Sequence, residues 1–226
     1  MTPLSRTLSI GLLLILMGMP LRAQPTDGPV YVITYFDLRP DRVKEGMTLL
    51  KAYRQASRTE AGAHAITLVA ESGRPNRFLI AEAWAEQAAF AGHDKAASAA
   101  GLRAKLAPIA QSPPDQRVHH GFATAPGSRG GAVFIATHVD VIPPRQKETE
   151  ALLSRLAEDS RKDAGNLVFD VFQQEGRANH FGVWAVWQNL RAFDRHQDAA
   201  HTTQFRAALA PLLGALYDER LYRPVE

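Results

Sequence analysis

The chain holds 226 residues, 46% of them hydrophobic, with no cysteine and a formal net charge of +3. The missing cysteine excludes disulfides, thiolate metal sites, cysteine nucleophiles and lipoprotein attachment. Lys and Arg are scattered among Asp and Glu without a basic stripe, which argues against nucleic acid as a partner.

Arg6 precedes a short apolar run, Leu8–Met19, and Pro20-Leu21-Arg22-Ala23 then offers a small residue before Gln24. That layout predicts a secretory signal peptide over 1–23, too short for a comfortable membrane span. The expected destination is the periplasm or the exterior. No later segment is apolar enough to cross a bilayer.

Val30–Asp37 (VYVITYFD) is β-branched and aromatic, predicting a strand. Pro40 stands where a helix begins, and Arg42–Glu60 carries Val43, Met47, Leu50 and Tyr53 at helical spacing. Ala61-Gly62 ends that helix. A strand pair follows, His64–Glu71 and Phe78–Trp84, joined through Gly73 and Asn76 as a hairpin. Glu86–Ala110 reads as a helix broken near its middle, and Arg117–Phe122 as a last short strand.

The whole pattern then recurs. Setting Val30–His120 over Val133–Arg223 needs no gap, with roughly thirty of ninety-one positions identical at a constant offset of 103. The matches include Trp84/Trp187, Phe90/Phe193, His93/His196, Arg103/Arg206 and Pro108/Pro211. The second copy therefore reads as strand Val133–Asp140, helix Arg145–Asp163, strands Leu167–Gln174 and Phe181–Trp187, helix Asn189–Leu213 and strand Arg220–Pro224. A Gly- and Pro-rich linker, 123–131, separates domain 1 (28–122) from domain 2 (132–225). The order βαββαβ in each copy predicts an α+β fold of two tandem ferredoxin-like domains with helices on one face of each sheet. Alternation in the second strand of copy two puts Leu167, Phe169 and Val171 under the helices, and Asn166, Val168, Asp170 and Phe172 on the other face. Packing those mixed faces together predicts a shared barrel with a pocket inside it.

The stretches FLIAEAW then AEQAAFAGH in copy one, and FGVWAVW then QNLRAFDRH in copy two, with His201 and Phe205 after it, resemble the antibiotic biosynthesis monooxygenase family, whose motifs are FxxxExW, DxxAxxxH and a later HF. The resemblance implies a dimeric α+β barrel, here completed within one chain, so a monomer suffices as a pseudo-dimer and further self-association is unforced. It also implies oxidation of a small quinol or phenolic aromatic by O2 without a cofactor, in a dry pocket that takes the substrate proton. Haem binding or breakdown through His93 or His196, and ligand binding without turnover, are the alternatives.

The copies differ at chemically important places: Glu82 is Ala185, Ser98 is His201, and Tyr35 is His138. Copy two holds more titratable groups near the motif. The expected catalytic residues are therefore His196, His138 and Asp170, the last two interrupting apolar strands, where a buried carboxylate costs several kcal/mol unless satisfied. Trp187, Trp84, Tyr35, Phe172, His93 and His201 are the expected substrate-binding residues. His196 and His201 are five apart and so do not share a helix face, which argues against a metal pair. His119 and His120, adjacent in a strand, must point to opposite faces.

Overall fold

The computed structural model describes residues 28–124 and 131–225, so the predicted signal peptide and the middle of the linker lie outside the described residues. The first half runs β1 (Val30–Asp37), α1 (Val43–Ser57), β2 (Ala63–Glu71), β3 (Arg77–Trp84), α2 (Gln87–Asp94), α3 (Ala97–Leu106) and β4 (Asp115–Ala123). The second repeats it: β5 (Val133–Asp140), α4 (Gln146–Ser160), β6 (Asn166–Gln174), β7 (His180–Trp187), α5 (Leu190–Asp198), α6 (Ala200–Leu209) and β8 (Asp218–Pro224). No helix among the described residues is long and apolar enough to cross a membrane.

Local chemistry sets the boundaries. Pro40 and Pro143 each open a 3-10 turn ahead of α1 and α4, where the missing N–H is not needed. Gly62 and Gly165 follow those helices with φ of 82° and 90°, a left-handed conformation that costs an L side chain. A Cβ on either would also lie 2.6 Å from Ala89 or Ala192. The second helix of each half is interrupted where Ala96 and Ala199 adopt extended backbone.

The eight strands close into one barrel in the order β1-β3-β2-β8-β5-β7-β6-β4. Each half contributes its own antiparallel sheet, and the seams are β2 with β8 (Val69↔Pro224 to Glu71↔Tyr222) and β4 with β6 (His119↔Gln174 to Ala123↔Val171). The barrel the resemblance implied thus forms within a single chain.

Strand alternation divides the core in three. The outward faces pack under the helices, one cluster around Trp84 and Phe90 and another around Trp187 and Phe205. The inward faces meet in the lumen around Tyr31, Phe134, Phe172, Trp184 and Tyr222. Leu167 departs from the alternation. A bulge between Asn166 and Val168 shifts the register, so Leu167 packs against the lumen cluster and not beneath the helices.

The predicted lumen pocket is also corrected. Tyr31 stacks on Phe172 with centroids 4.4 Å apart and Phe134 meets Trp184 at 5.7 Å. The gap left beside Tyr31, Phe172 and Trp184 is about 10 Å³, too small for more than a water, and a space of about 210 Å³ lies instead against Tyr35, Arg220 and Tyr222.

Candidate active site

A space larger than the lumen gap lies on the other side of the sheet, in the first half. Along β3 the outward residues are Phe78, Ile80, Glu82 and Trp84, so alternation drives one carboxylate into an apolar layer. Glu82 is 4% exposed, and burial raises its pKa against the pull of His93. From α1, Tyr53 brings its hydroxyl 3.1 Å from Glu82 Oε1 and 2.6 Å from His93 Nε2. His93, buried at the end of α2, lies over Trp84 with centroids 4.4 Å apart. Its Nδ1 is 2.8 Å from Glu60 Oε2, in the turn after α1. Trp84 Nε1 donates to Glu82 Oε2 at 3.3 Å.

Four groups thus form one line: Glu82, Tyr53, His93, Glu60. Two proton placements satisfy every contact in it. With Glu82 neutral, its hydroxyl donates to Tyr53, Tyr53 to His93 Nε2, and His93 Nδ1–H to the Glu60 carboxylate. With Glu82 ionised, Tyr53 donates to Glu82 and a doubly protonated His93 donates to both Tyr53 and Glu60. Passing from the first to the second moves a proton from Glu82 to His93 without breaking a contact. Tyr53 itself stays a neutral phenol, since burial and the neighbouring Glu82 push its pKa far above the ordinary value.

Beside this line is a cavity of about 180 Å³, bounded by Thr34, Phe36, Ile80 and Glu82 from the sheet, Tyr53 from α1, and Ala99, Leu102 and Arg103 from α3. A closed apolar cavity of about 150 Å³ accepts benzene, so this one suits a single aromatic ring. Arg103 at the rim is held by Asp94 at 2.9 Å. His93 has both ring nitrogens engaged, leaving none for haem iron, and a four-pyrrole macrocycle exceeds the space.

The second half has lost this arrangement residue by residue. Glu82 becomes Ala185, Tyr53 becomes Leu156, Leu102 becomes Phe205 and Pro114 becomes Tyr217. Tyr217 packs against the core and hydrogen-bonds Thr137, the counterpart of the cavity-lining Thr34. Side chains therefore occupy the corresponding volume. Trp187 Nε1, without the carboxylate that Trp84 uses, is buried and makes no hydrogen bond. What survives is the outer contact, His196 Nδ1 to Asp163 Oδ2 at 2.8 Å.

The sequence profile described as Antibiotic biosynthesis monooxygenase matches residues 29–104 and 132–208, more than half of the chain. The chain belongs to this family. A Bacillus subtilis (strain 168) relative named "Putative monooxygenase YcnE" is 28% identical over 86 residues, 38% of this chain and 90% of its own length. It corresponds to one half. Among solved structures, a Fusobacterium nucleatum protein named as a putative monooxygenase superposes with a TM-score of 0.79 at 15% identity, covering 89% of this chain and 94% of its own. One from Lactobacillus acidophilus, named likewise, gives 0.72 at 14%, covering 86% and 93%. At such identities these show the shared fold.

Within this family frame, the residues singled out from sequence fall on two sides of the sheet. Trp84, Trp187, His93, His196 and His201 lie on the helix side. His138, Asp170, Tyr35 and Phe172 are on the lumen side, so the expected trio of His196, His138 and Asp170 does not converge. Trp84 and Trp187 are both fully buried under the helices and do not line a lumen. His138 Nε2 sits 3.2 Å from His180 Nδ1, and burial with Arg117 nearby lowers its pKa to about 4. Tyr35 lies between Arg117 and Arg220, at 5.1 and 5.5 Å from its ring centroid. Each Arg is clamped by the Asp two residues before it, Asp115 or Asp218, at 2.6 Å. His119 points inward and is buried while His120 is partly exposed, as adjacency requires.

Sequence reasoning missed Glu82, Tyr53 and Glu60 as site residues, and the paired Asp-x-Arg of the last strands. The signal available was the Tyr53/Leu156 difference, on a helix face expected to be only core.

Proposed function

We propose that the first half is a cofactor-independent monooxygenase site for a single-ring phenol or hydroquinone, and that the second half is its scaffold. The observation that carries this reading is the line Glu82–Tyr53–His93–Glu60 ending in a cavity of one-ring size. Glu82, ionised when His93 holds the extra proton, accepts the hydroxyl proton of the substrate. The resulting electron-rich anion reduces O2 in a largely apolar space. One oxygen atom enters the ring and the other leaves as water, so a phenol with a free para position and O2 give a quinone and water. Thr34, Gln116 and Arg103 supply the polar contacts that orient the ring. The name of the Bacillus subtilis relative is in keeping with this chemistry.

Oxygen uptake with a panel of monocyclic phenols and hydroquinones tests the proposal. Uptake that is lost in Glu82→Gln and Tyr53→Phe, and retained in Ala185→Ser, supports it. Aromatics that quench tryptophan fluorescence without uptake would instead assign a binding module. We also propose that residues 1–23 direct export; a mature protein beginning at Gln24, read by N-terminal sequencing, checks this, and an intact Met1 would refute it.

A further inference from the structure

Divergence in the second half has done more than fill a cavity. His196 keeps its contact with Asp163 through Nδ1, at 2.8 Å, but lacks a tyrosine at the position of Tyr53. A second histidine has arrived on the carboxylate side: His201 Nε2 is 3.2 Å from the same Asp163 Oδ2. The three donor atoms lie within 4.8 Å of one another. Spacing along the chain argued against this, because residues five apart on a continuous helix diverge. The argument fails where the helix is broken: Ala199, with ψ of 143°, turns α6 against α5 and brings the two rings to 5.6 Å between centroids.

We propose that Asp163, His196 and His201 bind a divalent transition-metal ion. Two imidazoles and one carboxylate form a donor set suited to zinc, iron, cobalt, nickel or copper, and unlike the all-oxygen sets of calcium. Metal–ligand bonds of about 2.0–2.2 Å require the donors to stand about 3.3 Å apart in a tetrahedron, near the two separations already present. His201 Nε2 is shielded from solvent and makes no hydrogen bond, its nearest charged neighbour being the Asp163 carboxylate at 3.2 Å. Thr202 Oγ1 lies 3.3 Å from His196 Nδ1. His201 also lines a cleft of about 170 Å³ between α4 and α6, with Leu152, Arg155, Asp159 and Phe205. That cleft reaches the trio only at His201. Asp159 in its wall is held by Lys162 at 2.8 Å and stays outside the donor set. The first half cannot do the same, since Ser98 stands where His201 does and reaches Glu60 only at 3.4 Å.

The test uses the whole protein, purified without a polyhistidine tag and dialysed against chelator, then titrated with Co2+ by visible absorption and with Zn2+ by calorimetry. One ion per chain is expected, with d–d bands for Co2+. His201→Ser, which installs the first half's residue, should weaken binding by about 100-fold or more, since even residues behind the ligands contribute about 10–100-fold. His138→Ala, which disrupts the other histidine pair, should leave affinity unchanged. Circular dichroism of the metal-free variants verifies that each is folded. Absence of binding up to about 1 mM, a floor of weak affinity, would overturn the proposal. So would binding that persists in His201→Ser, or that is lost in His138→Ala.

Discussion

Replacing Glu82 by Gln separates the proton from the hydrogen bonds. A glutamine amide reproduces the pattern of the neutral acid: its carbonyl accepts from Trp84 Nε1, and its NH2 donates to Tyr53, which still donates to His93. The wild-type carboxyl is buried, and desolvation raises its pKa from an ordinary value of 4.5. Above that value the unfolded chain has released the proton while the folded chain retains it. Wild-type stability therefore falls with rising pH, by at most about 1.4 kcal/mol per pH unit, until the buried group ionises as well. The Gln variant carries no such term. It should lie within about 1 kcal/mol of wild type near the ordinary glutamate pKa and become progressively the more stable protein as pH rises above it, until the wild-type carboxyl ionises. Turnover should fall by about 10²–10⁴, the usual contribution of a positioned acid–base group. Urea denaturation across this range, followed by tryptophan fluorescence, measures the first effect, and oxygen uptake the second. A stability difference that does not change with pH would refute the raised pKa, and unimpaired turnover would refute the relay.

Three further outcomes follow from the same geometry. Trp84→Phe and Trp187→Phe remove equally buried indoles, but only Trp84 satisfies a carboxylate, so urea denaturation should find Trp84→Phe more destabilising by about 1–2 kcal/mol. Gly165→Ala combines a positive φ with a Cβ 2.6 Å from Ala192; a loss of about 2–4 kcal/mol is expected from strain plus overpacking, and a thermal midpoint equal to wild type would contradict it. His119 is buried in the lumen, and desolvation lowers its pKa from 6.5 to about 4. Its stabilising contribution is complete above the unfolded value and is lost as pH falls from about 6.5 to about 4, on the order of 3 kcal/mol. Chemical denaturation of His119→Gln should show a correspondingly shallower acid loss over that window.

Period-2 strands, helices opened by proline and closed by glycine, and a gapless repeat are local properties, and they were enough to specify two βαββαβ halves. Even the partition of Ile66, Leu68, Phe169 and Val171 beneath the helices follows from alternation, with Leu167 escaping only because a bulge adds one residue to the count. The copies' differences were also visible at Glu82/Ala185 and Ser98/His201, but their meaning was not. A count of titratable groups favours the second half, whereas the first half has the cavity beside a buried carboxylate. Whether a hole exists depends on volumes from four elements at once: Pro114 and Leu102 leave one, while Tyr217 and Phe205 close it. The same holds for the relay, because Tyr53 on α1 and Glu60 in the turn after it, Glu82 on β3 and His93 on α2 are brought together only by packing. It holds again for Asp163, His196 and His201, brought together by one extended residue in a broken helix. Sequence periodicity determined which residues share a face. Only packing decided which faces enclose a space and which atoms meet there, because burial and distance depend on residues far apart in the chain.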